Sequence, residues 1–203
     1  MNSLDPRVVR LPDYPVKSFE PKAPMDQLGT YEVFVQPKEG KQFQHEGIVH
    51  APDIELAFVL AKESLTRRFQ CVSIFIVDTR NVLVSELTEG DVSAYDTSTF
   101  SSHVNSQSGD REVFEIFHLT KRGKQHIHAG NVEAESVAGA FAEAKKKFGI
   151  LKVYNVWIIA TKNIRFTQPD EKDLWSTLPD KKFRDAAEYK GGDKLKEFLK
   201  KSQ

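Results

Sequence analysis

The sequence predicts an α+β protein made of two tandem β-β-α-β units, each a small mixed sheet with one helix, packed as a pseudo-twofold dimer. Three observations lead to this prediction: an internal repeat, strand-like segments joined by a short turn, and an apolar helical stripe in each copy. The chain has 203 residues, of which 39% are hydrophobic and 29% charged. This length and composition suit one or two folded domains with real cores.

The internal repeat organises the chain. Residues 31–51 correspond to residues 114–134 at an offset of 83, with ten identities in 21 positions. One residue is lost in a later loop, so 74–77 corresponds to 156–159 at an offset of 82. A unit of about 55 residues buries too little surface to be comfortably stable alone. We therefore expect the two copies to dock against each other.

Each copy contains the same series of predicted elements. In the first copy, Tyr31 to Val35 is rich in aromatic and β-branched residues, and Gln44 to His50 forms the second strand of a hairpin. Asp53 is predicted to cap the helix, because its carboxylate can accept hydrogen bonds from the first turn. The helical stripes that follow are Ile54, Ala57, Phe58, Ala61 and Leu65 in the first copy, and Val137, Ala140, Phe141, Ala144 and Phe148 in the second. A buried strand, 74–77 or 156–159, closes each copy.

The repeat divides the chain into five predicted segments. The units span 28–85 and 111–167, and a linker rich in Ser, Thr, Asp and Gly, 86–110, joins them. A proline-rich arm, 1–27, precedes them, and a tail with two helix-like pieces, 168–203, follows. The apolar residues Leu195, Phe198 and Leu199 of this tail could pack on the parent molecule or on a partner.

The charge balance and the single cysteine exclude several classes of protein. The 29 basic and 29 acidic residues give no net charge, whereas a nucleic-acid binder normally has a basic surplus. Residues 1–110 hold 10 basic and 16 acidic residues, so the remaining 19 basic and 13 acidic residues make the second half basic. No apolar stretch is long enough to span a membrane, and no signal-peptide pattern is visible. With Cys71 as its only cysteine, the chain suits the reducing cytoplasm, and Cys71 is expected to be an inert structural thiol.

Residues able to carry chemistry are few. His126 and His128 alternate on a predicted strand and could share a metal, but no acidic or cysteine cluster nearby completes a site. We expect His45 and His128, which correspond in the repeat, to be paired structural residues that bond a backbone carbonyl near the hairpin. No phosphate-binding loop or nucleophile motif is present. The sequence thus predicts no catalytic residue, no cofactor and no metal site.

Several separate motifs resemble the PaaB family, the small B subunits of the phenylacetyl-CoA epoxidase complex. These motifs are 31–35, then His45-x-Gly47-x-x-His50-Ala51-x-Asp53, then Arg67-Arg68, then Cys71-x-Ser73 with the strand 74–77. The resemblance is good over 28–85 and weaker over 111–167, where the counterparts of His50, Arg67 and Arg68 are absent.

The resemblance implies a role without catalysis. It implies a β-grasp, ubiquitin-like unit that carries no iron and joins copies of a core formed by a catalytic di-iron subunit and a structural subunit, with the reductase as a further partner. The duplication suggests that one fused chain replaces a dimer of B subunits. Candidate partner-interface residues are Arg67, Arg68, His45, His50 and His128. The alternative function is a stand-alone protein-interaction module of the same fold that serves another complex.

Overall fold

The first unit has the predicted element order. The computed structural model describes residues 28–66, 71–98 and 111–175, together with Gly192 and residues 198–201. Strands β1 (Gly29–Gln36) and β2 (Gln44–Ala51) form the hairpin, and helix α1 (Ile54–Leu65) and strand β3 (Ser73–Asp78) follow. The chain then continues into the short strand β4 (Val82–Val84) and the one-turn helix α2 (Ala94–Thr97).

The second unit repeats this order. Its elements are β5 (Glu112–Leu119), β6 (Ile127–Ala134), α3 (Val137–Phe148), β7 (Asn155–Ala160) and β8 (Ile164–Phe166), followed by a 3-10 segment (Pro169–Trp175). The helix starts are equivalent as well. The Asp53 carboxylate accepts a hydrogen bond from the third backbone N–H of its helix at 2.8 Å, and the Ser136 hydroxyl does the same at 3.1 Å. The predicted cap at Asp53 is therefore confirmed.

The two units exchange their last strands. The strands of the described residues form one sheet in the order β4-β7-β5-β6-β2-β1-β3-β8. Strand β4 follows β3 in the chain but pairs with β7 of the second unit, and β8 follows β7 but pairs with β3 of the first. Each unit thus completes its sheet with a strand from the other, so the units share an interface as expected.

The prediction of a mixed sheet is wrong. Each strand pairing that the structure describes is antiparallel. The reason is that α1 carries the chain from β2 to the far side of β1, which leaves β1 between two strands of like direction. The α+β class and the β-β-α-β order are confirmed, but the β-grasp arrangement is not.

The sheet curls so that the helix-free sides of its two halves meet. Strands β1 and β5 are three strand steps apart, which would separate them by about 14 Å in a flat sheet. The rings of Phe34 on β1 and Phe117 on β5 nevertheless lie 4.3 Å apart between centroids. Strands β2 and β6 join the two halves of the sheet through the residue pair Gln44 and Ile127. We call the apolar core enclosed there the inner cluster: Phe34, Phe75, Val77, Val82, Val84, Phe117, Trp157 and Ile159.

The segments after the exchanged strands also cross between units. Tyr95 of α2 lies in the core under α3, and Trp175 lies in the core under α1; each is 3% exposed. The Tyr95 hydroxyl lies 2.7 Å from His118 Nε2, and Trp175 Nε1 donates to the Thr66 hydroxyl at 2.9 Å. Each unit is therefore held to the other by a buried aromatic side chain as well as by a strand.

Candidate functional site

A buried glutamate and a histidine form a pair in the first unit. His45 Nε2 lies 2.7 Å from Glu32 Oε2, and the Thr79 hydroxyl donates to Glu32 Oε1 at 3.3 Å. Glu32 is 1% exposed. Because a carboxylate away from water is costly unless it is paired and hydrogen-bonded, these contacts make the burial of Glu32 tolerable and tie β1 to β2.

The second unit reproduces this arrangement. His128 Nε2 lies 2.7 Å from Glu115 Oε2, and the Thr161 hydroxyl donates to Glu115 Oε1 at 3.1 Å. The predicted pairing of His45 with His128 as equivalent residues agrees with this geometry. The predicted bonding partner was wrong, because each ring contacts a buried carboxylate and not a backbone carbonyl.

A β-bulge aims each histidine at the inner cluster. The register of β1 and β2 shifts by one residue, so that Phe34 lies opposite His45 and residue 46 is left over. Gly47 completes the bulge with a φ of 149°, which is strained for other residues. A shift of one residue moves a side chain to the other face of a strand, so the bulge puts His45 on the face that carries Glu32. The same bulge recurs in the second unit.

The paired histidines lie at the junction of the two units. The backbone N–H of His45 donates to the carbonyl of His126 at 2.9 Å, and that of His128 donates to the carbonyl of Phe43 at 2.8 Å. These two bonds are equivalent under the repeat. The ring of His45 also lies 4.9 Å from the ring of Trp157, so the pair in one unit contacts the other unit directly.

One polar contact at the junction occurs in the second unit only. The ring of His126 stacks on Trp157 at 4.0 Å, and its Nε2 lies 2.8 Å from the Asn155 side-chain oxygen. The first unit has Phe43 and Phe75 at the positions of His126 and Trp157, with their rings 4.9 Å apart. Within the described residues, no group of three or more His, Cys, Asp or Glu side chains is arranged to hold a metal ion.

The remaining candidate residues are not brought to this junction. His50 is exposed, and its Nδ1 lies 3.2 Å from the Thr30 hydroxyl. Arg67 and Arg68 lie outside the described residues. Cys71 is buried, which raises the pKa of its thiol to about 12, as expected of an inert structural thiol.

Sequence reasoning missed Arg165, which clamps the exchanged strand β8 to the first unit. Its guanidinium donates to carboxylates of both Glu171 and Glu55, the latter at 2.9 Å, and lies 4.0 Å from the centre of the Phe58 ring. Hydrogen bonding to Glu171, and then to Glu55, raises the pKa of Arg165. The repeat held no signal for this residue, because its counterpart in the first unit is Leu83.

Comparisons with known proteins agree with the internal repeat. The family model described as "Phenylacetic acid degradation B" matches twice, over residues 27–99 and 110–196. The chain is similar to the B subunit of 1,2-phenylacetyl-CoA epoxidase from Escherichia coli (strain K12), with 38% identity over 56 residues, 28% of this chain and 59% of that relative. The chain thus spans less than two thirds of that relative's length. No solved structure matches. None of the helices in the described part of the chain has the length and apolar character needed to span a membrane.

Proposed function

This chain belongs to the phenylacetic acid degradation B family, and we propose on that basis that it is a non-catalytic bridging component of a phenylacetyl-CoA epoxidase-type di-iron monooxygenase. In this role one chain replaces a dimer of single-unit family members in phenylacetate catabolism. Its proposed partners are the catalytic di-iron subunit and the structural subunit, with the reductase as a further candidate. The name of the E. coli relative, a component of an epoxidase, supports the choice of complex.

The observation that carries the fused-dimer proposal is the reciprocal exchange of strands β4 and β8. Exchange of identical elements between protomers is a common route to dimers. Here both exchanges connect the two copies of the repeat, and each is followed by a buried aromatic anchor, Tyr95 or Trp175. None of these contacts depends on the covalent link between the units, as expected if two separate proteins were joined end to end.

Two pseudo-equivalent faces would allow the chain to hold two cores. The Glu–His pairs and the two junction hydrogen bonds recur in both units, which supports a pseudo-twofold relation between them. His45 and His128 are engaged with buried carboxylates, which favours a structural role for them. We propose His50, Arg67 and Arg68 as contact residues. Because the second unit lacks their counterparts, they would make the two faces unequal.

Assembly of the full chain with the purified catalytic and structural subunits of an epoxidase tests this proposal. We expect light scattering after size-exclusion chromatography to give a mass of two cores per chain. A single-unit member of the family, measured in parallel, is the control, and we expect it to need two copies for the same assembly. A complex with one core per chain, or epoxidation by the chain alone, would contradict the proposal. No association of folded components would instead favour the stand-alone interaction module.

A further inference from the structure

Helix α1 is apolar on its outer face as well as on the face that packs into the core. Leu56, Val59 and Leu60, which we call the outer stripe, are 42%, 53% and 39% exposed. Their spacing places them on one side of the helix, opposite the buried residues. A contiguous apolar surface of this kind is normally covered, because its exposure to water favours association.

The fold itself does not require the outer stripe. Helix α3 occupies the equivalent place in the second unit and carries Gly139, Ala142 and Glu143 at the three corresponding positions. Its outer side is therefore that of an ordinary amphipathic surface helix. The stripe is a property of the first unit alone, so its covering segment should also be specific to that unit.

Residues 176–203, which we call the distal tail, follow Trp175 in the chain, and Trp175 itself lies beside this helix. Trp175 donates its indole N–H to Thr66, the residue that caps the C-terminal end of α1. Only 22 residues separate Trp175 from Phe198. A chain of that length can span up to about 70 Å, whereas a 12-residue helix such as α1 is about 18 Å long. Every part of the outer stripe is thus within reach of the distal tail.

The distal tail has the pattern of a complementary helix. Leu195, Phe198 and Leu199 follow the same i, i+3, i+4 spacing as the outer stripe. Residues 198–201 are helical, and Phe198 and Leu199 are 66% and 56% exposed. Residues 192–203 hold four lysines against two acidic residues. The outer stripe is bordered by Glu55, which also binds Arg165, and by Glu63, which also binds Lys62. The spacing of the apolar residues, the opposite charges and the length of the connecting chain all favour pairing of the distal tail with the outer stripe.

We propose that the distal tail around Phe198 and Leu199 docks on the outer stripe of α1 as a covering helix. Docking would remove both apolar surfaces from water, with the lysines of the distal tail facing the acidic border of α1. The proposal goes beyond the bridging role and does not depend on it. A partner that binds α1 would then have to displace the distal tail first.

Disulfide trapping in the full chain tests this docking. The variant Val59→Cys/Leu199→Cys joins the stripe to the distal tail, and Ala142→Cys/Leu199→Cys is the control, because Ala142 has the matching position on α3. The buried Cys71 should not compete, because burial shields its thiol and raises its pKa to about 12, so it forms far less thiolate than an exposed cysteine. Docking raises the effective concentration of the distal tail at the stripe, so we expect the first disulfide to form at least about tenfold faster, within one chain and independently of protein concentration.

Three results would overturn the proposal. Equal rates for the two variants would show no preference for the stripe. A disulfide between two chains, at a rate that rises with concentration, would show that a second copy covers the stripe. The third result comes from adding Leu60→Asp, a change at a partly exposed residue of the outer stripe, to the Val59→Cys/Leu199→Cys variant. Docking predicts that the rate falls to that of the control while the helical circular dichroism is unchanged, so an unaltered rate would contradict it.

Discussion

Lowering the pH from 7 to about 4 is expected to weaken the contact of α2 with the second unit, because His118 would have to carry a charge in the core. His118 is 6% exposed, and its Nε2 lies 2.7 Å from the Tyr95 hydroxyl. Burial and, to a smaller degree, the neighbouring His128 lower the pKa of His118 to about 4. An unperturbed histidine titrates near a pKa of about 6.5.

The size and sign of the effect follow from this difference in pKa. The unfolded chain takes up the proton first as the pH falls, so the stabilisation is fully present above about pH 6.5 and is lost on the way to about pH 4. A difference of about 2.5 pKa units corresponds to about 3 kcal/mol in the free energy of unfolding. That is a large part of the stability of a typical domain.

Urea unfolding of the full chain between pH 7 and pH 4.5 measures this loss. The test variant is His118→Val with Tyr95→Phe, which leaves no hydroxyl without a partner; Val35, the counterpart of His118 in the first unit, is fully buried. We expect the wild type to lose most of the 3 kcal/mol relative to this variant. Tyr95→Phe alone keeps the histidine and should keep the pH dependence. Parallel loss of stability in the wild type and the double variant would refute the reasoning.

Four further substitutions test the Glu–His pair, the Trp175 anchor and the bulge. His45→Ala leaves Glu32 buried without its imidazole partner and should lower the free energy of unfolding by about 3 kcal/mol in chemical denaturation; a loss below about 1 kcal/mol would contradict the pairing. Trp175→Ala should cost about 3–5 kcal/mol although this residue lies outside both hairpins, and an unchanged melting temperature would mean that the anchor is dispensable. Gly130→Ala should lower the melting temperature more than Gly47→Ala, although both glycines have positive φ. A Cβ at Gly130 would lie only 2.7 Å from a ring atom of Phe148, whereas a Cβ at Gly47 would lie 3.9 Å from a methyl group of Leu65. The opposite ranking would argue against the bulge geometry.

The elements of each unit could be predicted because their signals are local. The hairpin, the cap at Asp53 and the buried helical stripe each depend on residues close together in the chain, and the repeat supplied a second copy of every pattern. The family resemblance was likewise carried by short motifs, and both units match the family model. The expectation that the units share an interface followed from the small size of each copy.

The exchange of strands could not be predicted from the same patterns. Strands β4 and β8 have three residues each, Val-Leu-Val and Ile-Arg-Phe, and such short segments do not indicate which strand they pair with. The register shift that aims His45 at Glu32 depends on how the two strands of the hairpin are paired, which the strand pattern does not specify, although Gly47 was present as a local sign of it. The apolar residues of the outer stripe of α1 were also visible in the sequence. The buried stripe alone was sufficient to predict the helix, so the second apolar face was overlooked.

The central claim is that one chain does the work of two single-unit family members. The most direct measurement is the mass, by light scattering, of the complex formed when the full chain is mixed with an excess of the catalytic and structural subunits of an epoxidase. We expect a single complex with two cores and one chain, at a mass that does not change with further core. A saturating complex of one core per chain, from folded components, would contradict the claim.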